Sequence, residues 1–225
     1  MREAHMKSIK IDLKIKIGVF FIVMGFIGAA IFIAMASTLN PWSMKLPHLD
    51  SAVWLRCAVG MKQGETLYVD VWDHKGLVLF AIQYLGLTLT PHSLTGIWIL
   101  ECLCIFLLLW SFYLIAGLIS ERRLVCFLAS VLSLHSFYYF YQQGNCVEEW
   151  ALPLIGFSLY FFVKYLKTER TVSMFFASTF SSKMQIDFLK VAWGISPVLH
   201  FPLRHSFRCR RGAVAGIQSL LVTDM

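Results

Sequence analysis

The chain has 225 residues, of which 58% are hydrophobic and 15% charged. Soluble domains carry about 45–50% apolar and about 25% charged residues, so this composition argues against an ordinary soluble enzyme and points to an integral membrane protein. The net charge of +7 does not mark a nucleic-acid binder, because the basic residues flank apolar runs, where topology and lipid headgroups account for them.

Residues 1–16 are basic, with Arg2, Lys7, Lys10, Lys14 and Lys16 against Glu3 and Asp12. Ile17 to Ser37 then runs without a charge, and about twenty apolar residues suffice to cross a bilayer as a helix. The basic flank predicts a cytoplasmic N-terminus. Ala34-Met35-Ala36 also resembles a cleavage site, so a signal peptide is the lesser alternative. Asn40-Pro41 and Pro47 break the helix and open an outer loop over 38–93. Within it, Ala52, Leu55 and Val59 share one face of a short amphipathic helix that Asp50 opens and Gly60 or Gly64 ends. As a plain structural residue, Asp50 is the N-cap of that helix.

Leu77 to Leu89 is apolar but too short to span, and reads as interfacial or re-entrant. Spans are expected near 17–37, 94–119, 124–140 and 150–166. With these, Arg122, Arg123, Lys164, Lys167 and Arg170 all fall on the inner side, as the positive-inside rule requires. Both acidic clusters, 50–73 and Glu148-Glu149, then fall on the outer face. Glu101 lies inside a span, about two turns from the outer end, where snorkelling to water and a functional role are both open. His135, in an apolar helix, reads as a packing residue. The six cysteines include no CxxC pair and read as small buried side chains. After about residue 169 the pattern changes: Val172 to Phe180 is a short apolar piece, and the run to 225 contains no clean span. The sequence suggests a frameshifted or truncated tail there, and so an N-terminal fragment.

The outer loop carries Asp50-Ser51, Gly64, Tyr68-Val69-Asp70 and Asp73-His74-Lys75-Gly76. An acidic residue opening a short helix, then Tyr-x-Asp-x-x-Asp-x-Lys-Gly, resembles the first outer loop of polytopic GT-C glycosyltransferases, in particular the bacterial branch similar to protein O-mannosyltransferases. The likeness covers roughly residues 10–168. Members of that family are much longer, with more helices and often an outer C-terminal domain.

The resemblance implies an all-α polytopic fold, with juxtamembrane helices in the first outer loop. It also implies transfer of a sugar from a polyprenyl-phosphate lipid to a cell-envelope acceptor at the outer face of a bacterial plasma membrane. Asp50 is then the base that takes the acceptor hydroxyl proton. Tyr68, Asp70, Asp73, His74 and Lys75 contact donor phosphate and substrate, with Lys75 as the compact charge for phosphate. A divalent cation is the alternative to a side chain for stabilising the leaving phosphate. Glu148 and Glu149 form the second acidic group. The structural readings are first-turn acids for the Glu pair, and solvated loop residues for Asp70 and Asp73, with Lys75 anchoring at headgroups. The competing functional reading is a non-enzymatic membrane protein, such as a transporter component or assembly partner. It would be expected to place polar residues in broken helices at mid-membrane, whereas here they gather in loops on one face.

Overall fold

The computed structural model describes residues 2–73, 75–141 and 143–192, with side chains described over 16–181 except at 74, 139, 140 and 142. The described residues form seven helices: α1 (Arg2–Ala34), α2 (Leu49–Lys62), α3 (Leu77–Leu89), α4 (Thr95–Ile119), α5 (Arg123–Phe140), α6 (Val147–Thr168) and α7 (Thr171–Ala192). No strand occurs among them, so the class is all-α. Two segments, Lys16–Ala34 of α1 and the whole of α4, are long and apolar enough to cross a membrane by length and composition. α3 and the Arg123–Tyr138 part of α5 are apolar but shorter.

α4 is the central helix, packing against α1, α3, α5 and α6. Its sequence explains this position: Glu101 is its one charged residue, so apolar side chains are available to several neighbours at once. On the α1–α5 side, Phe26 is fully buried, with ring centroids 5.1 Å from Phe127 and 5.8 Å from Tyr113. On the other side, α3 meets α4 at a glycine pair. A Cβ on Gly96 would collide with the Gly86 carbonyl oxygen, and one on Gly86 would lie 2.9 Å from the Ile97 backbone.

Of the two stops the sequence offers for α2, Gly60 lies inside the helix and Gly64 follows its end. Gly64 takes φ +91°, the Gly64 N–H donates to Met61 O at 3.2 Å, and the Glu65 N–H donates to Gly60 O at 2.9 Å. This double closure satisfies carbonyls that the last turn would otherwise leave open. Glu65 then returns to the helix as a two-point ion pair, accepting from Arg56 Nη1 at 2.9 Å and Nη2 at 3.1 Å.

α7 is longer than the short apolar piece read from the sequence. It lies along α6, where Phe161 stacks on Phe176 and Phe180 with centroids 5.1 and 5.9 Å apart. Ser158 Oγ donates to Ala177 O at 2.9 Å. Phe157 and Phe161 on α6, and Phe176 and Phe180 on α7, are each four apart, so each pair lies on one helix face. Residues 193–225, including Arg208-Cys209-Arg210-Arg211, lie outside the described residues.

The connections place the chain's polar segments together. Trp98 Nε1 donates to Ala34 O at 2.9 Å, and the Thr38 N–H donates to Gln143 O at 2.8 Å. The C-terminal end of α1, the start of α4 and the α5–α6 loop therefore share one end of the bundle. At the opposite end, Lys167 Nζ donates to Leu118 O.

Candidate functional site

The site is built from three segments: the start of α2, the turn before α3, and the loop from α5 to α6. His48 caps α2, and Asp50 is the second residue of the helix rather than its cap. There it sits in the positive end of the helix field. Asp50, Ser51 and Lys75 line one side of a cavity of about 100 Å³, and Asn145 and Glu148 line the other. Two carboxylates and one ammonium, about a hundred residues apart in sequence, thus face one small polar space.

Lys75 and Val147 also line a second cavity of about 270 Å³. This one is apolar, running from Lys75 and Gly76 past Leu79 and Leu103 to Leu107 and Leu154 between α3, α4 and α6. A charged pocket thus borders an apolar groove, with Lys75 at the junction.

The remaining residues of the 65–76 segment shape the turn. Asp70 Oδ2 accepts from the Thr66 N–H at 2.8 Å, and Asp73 Oδ1 accepts from the Lys75 N–H at 3.0 Å. The Tyr68 hydroxyl donates to Lys75 O at 2.7 Å, with Tyr68 itself at φ +68°. Tyr68, Asp70 and Asp73 therefore fix the backbone that presents Lys75, and none of the three lines the polar cavity. His74 lies outside the described residues.

The two adjacent glutamates part company. Glu148 is exposed and lines the cavity; Glu149, one helical step on, is 1% exposed and turned into the bundle. There it meets Glu101 of α4, which is 0% exposed, and its charge acts on Glu101's neighbour Tyr141 as well. Among the described residues neither carboxylate nor the buried Tyr141 hydroxyl makes a well-formed hydrogen bond, and the polar groups nearest in effect are Ser37 and the Asn145 and Cys146 N–H groups. Burial, then the charges of Glu101 and Glu149, push the Tyr141 phenol well above its ordinary range. Burial first, then the Glu149 carboxylate, raise the Cys146 thiol to about 12. Cys57, Cys104 and Cys126 are buried as well.

Asn145, which the sequence reading passed over, joins the two layers. Its Nδ2 donates to Ser51 Oγ at 2.7 Å and to Gln83 Oε1 at 3.3 Å. Its Oδ1 accepts from Trp150 Nε1 at 3.0 Å and from Gln83 Nε2. Asn145 adopts φ +53°, a left-handed conformation that asparagine tolerates better than most residues. Gly144 before it is at φ +86°, and a Cβ there would meet Ser37 and come within 2.8 Å of Glu101 Oε1. Gln142-Gln143-Gly144-Asn145 was the available signal: a Gly-Asn pair between two apolar helices marks a turn with left-handed residues. Among the described residues, no group of three or more His, Cys, Asp or Glu side chains converges as metal ligands. A divalent ion in the outer cavity would have Asp50 and Glu148 as its carboxylates.

In comparison with known proteins, no family model matches the chain, and no curated protein or solved structure shows significant similarity to it.

Proposed function

We propose that the chain is a membrane glycosyltransferase of GT-C type, or part of one. It would move a sugar from a polyprenyl-phosphate donor to a cell-envelope acceptor. The observation that carries this reading is the junction at Lys75, where a carboxylate-lined polar cavity borders an apolar groove. A lipid phosphate has those two parts in that order. Its isoprenoid chain fits the groove between α3, α4 and α6, and its phosphate meets the ammonium of Lys75.

The reaction follows from the residues around that junction. Asp50 accepts the proton of the acceptor hydroxyl as its oxygen attacks the anomeric carbon. The bond from that carbon to the phosphate oxygen breaks, and the polyprenyl phosphate leaves with the bonding electron pair. Lys75 stabilises the charge that develops on it. Glu148, across the cavity, orients the acceptor. In the membrane, α1, α4, α5 and α6 are the spans and the N-terminus is cytoplasmic. Arg122, Arg123, Lys164, Lys167 and Arg170 then lie on the inner side, and the polar cavity opens outward at the bacterial plasma membrane.

The test is sugar transfer from a radiolabelled polyprenyl-phosphate sugar in membranes containing the full chain, compared with Asp50→Asn. Loss of the base should lower the rate by about 10²–10⁴-fold. Unchanged transfer by the variant would remove Asp50 from the role. Transfer no greater than in membranes without the protein would favour a non-enzymatic component.

A further inference from the structure

We propose that Glu101 and Glu149 form a metal-binding centre inside the bundle: a hard metal ion is held between the two carboxylates beside Tyr141. The proposal is independent of the sugar-transfer reading, since it concerns groups behind the polar cavity.

Three observations carry it. The carboxylates come from different helices, α4 and α6, yet both are essentially without solvent exposure. None of their four oxygens, nor the Tyr141 hydroxyl next to them, makes a well-formed hydrogen bond among the described residues, although Ser37 and the Asn145 and Cys146 N–H groups lie near. Among the described residues no Lys, Arg or His acts on either: the groups that do are Ser37, the Asn145 and Cys146 backbone and the other glutamate. Two like charges cannot be buried together without compensation, and buried polar groups are nearly always partnered. Among the described residues no side chain supplies the positive charge, and a bound metal ion would. The other titratable groups facing the pair are Tyr141 at the end of α5, Cys102 and Cys104 on α4, and Cys146 before α6. All are neutral in their protonated forms, so none supplies that charge.

The surroundings suit an occupant. The available donors are mainly oxygens, from two carboxylates, a phenol and the Ser37 hydroxyl, which is the ligand set of hard cations. Gly144 lacks the Cβ that would press on Glu101 Oε1. Ser37 and Tyr141 also line a separate cavity of about 810 Å³ with Asn40, Trp42 and Gln143, which gives a route in. On the other side, Asn145 and Cys146 line the polar cavity. An ion at the centre would thus brace the loop that leads into α6 and Glu148.

The experiment uses the full chain in lipid nanodiscs, with Glu101→Gln, Glu149→Gln and the double variant. Metal content is measured by mass spectrometry after purification in buffers containing magnesium, calcium or manganese. Infrared spectra are recorded on the metal-free protein. One arm supports a metal: a stoichiometric ion that raises the unfolding temperature and is lost in either single variant. No bound metal, with a protonated-carboxyl band that disappears in the double variant, overturns the proposal, because the pair is then neutralised by a proton. Because glutamine is neutral, the double variant should fold even where a single one does not. Metal content that is the same in the parent chain and the double variant overturns it as well.

Discussion

Asn145 and Ser51 are joined across the molecule by a hydrogen bond of 2.7 Å, from the α5–α6 loop to the first turn of α2. That bond ties the wall carrying Glu148 to the wall carrying Asp50. The same side chain also bonds Gln83 and Trp150, both buried. Asn145→Ala should therefore leave several buried polar groups unpaired, at about 1–3 kcal/mol each. The expected result is a lower unfolding temperature in detergent, with Ser51→Ala, which removes one bond, falling less.

Gly144→Ala tests the shape of that loop. The substitution meets both an unfavourable φ and the Ser37 and Glu101 side chains, and should destabilise by about 1–3 kcal/mol. Gly28→Ala is the control. It sits in α1 with open space around its Cβ position, and should stabilise by roughly 0.5–1 kcal/mol through helix propensity. Thermal unfolding of the two variants in one detergent should move in opposite directions.

Cys146 predicts an alkaline limb in stability. Its thiol is raised from 9.0 to about 12 by burial and by Glu149. Between those values the folded chain holds a proton that the unfolded chain has released. Stability is then fully present below the unfolded value and falls as pH rises through the window, by up to about 1.4 kcal/mol per pH unit. Denaturant midpoints from pH 8 to 11 should show the decline, and Cys146→Ala should flatten it.

Glu65→Gln keeps the size of the side chain but removes the charge opposite Arg56. The pair is two-pronged but about a quarter to a third exposed, so the expected loss is under about 1 kcal/mol. Gly64→Ala, at φ +91°, should cost more, on the order of 1–2 kcal/mol. Comparing the two unfolding temperatures separates backbone closure from charge at the end of α2.

Much of the fold was legible because apolar runs and their breakers are local signals. The apolar run Leu77 to Leu89 is bounded by Gly76 and Thr90-Pro91, and α3 has those bounds. The Gly64 stop was readable because a left-handed residue after a helix favours glycine. The site was harder to read because its groups meet only through packing. Glu148 and Glu149 are equivalent in sequence, and helix rotation alone sends one to the cavity and the other to Glu101. Asn145 has no motif, since its partners lie on α2, α3 and α6. The α6–α7 contact is not legible in sequence, because Phe176 and Phe180 lie in a short apolar piece broken by Ser173, Ser178 and Thr179, and only packing brings Phe157 and Phe161 opposite them.

The central claim is that Lys75 joins a phosphate site to a lipid groove, and direct binding tests it without requiring turnover. The full chain in nanodiscs would be titrated with a polyprenyl phosphate and examined by native mass spectrometry, alongside Lys75→Ala and Leu103→Trp. Saturable binding by the parent chain, weakened by Lys75→Ala at the phosphate and by Leu103→Trp in the groove, is the predicted result. Retention no greater than that of the bulk phospholipid, or binding indifferent to both substitutions, would contradict the account.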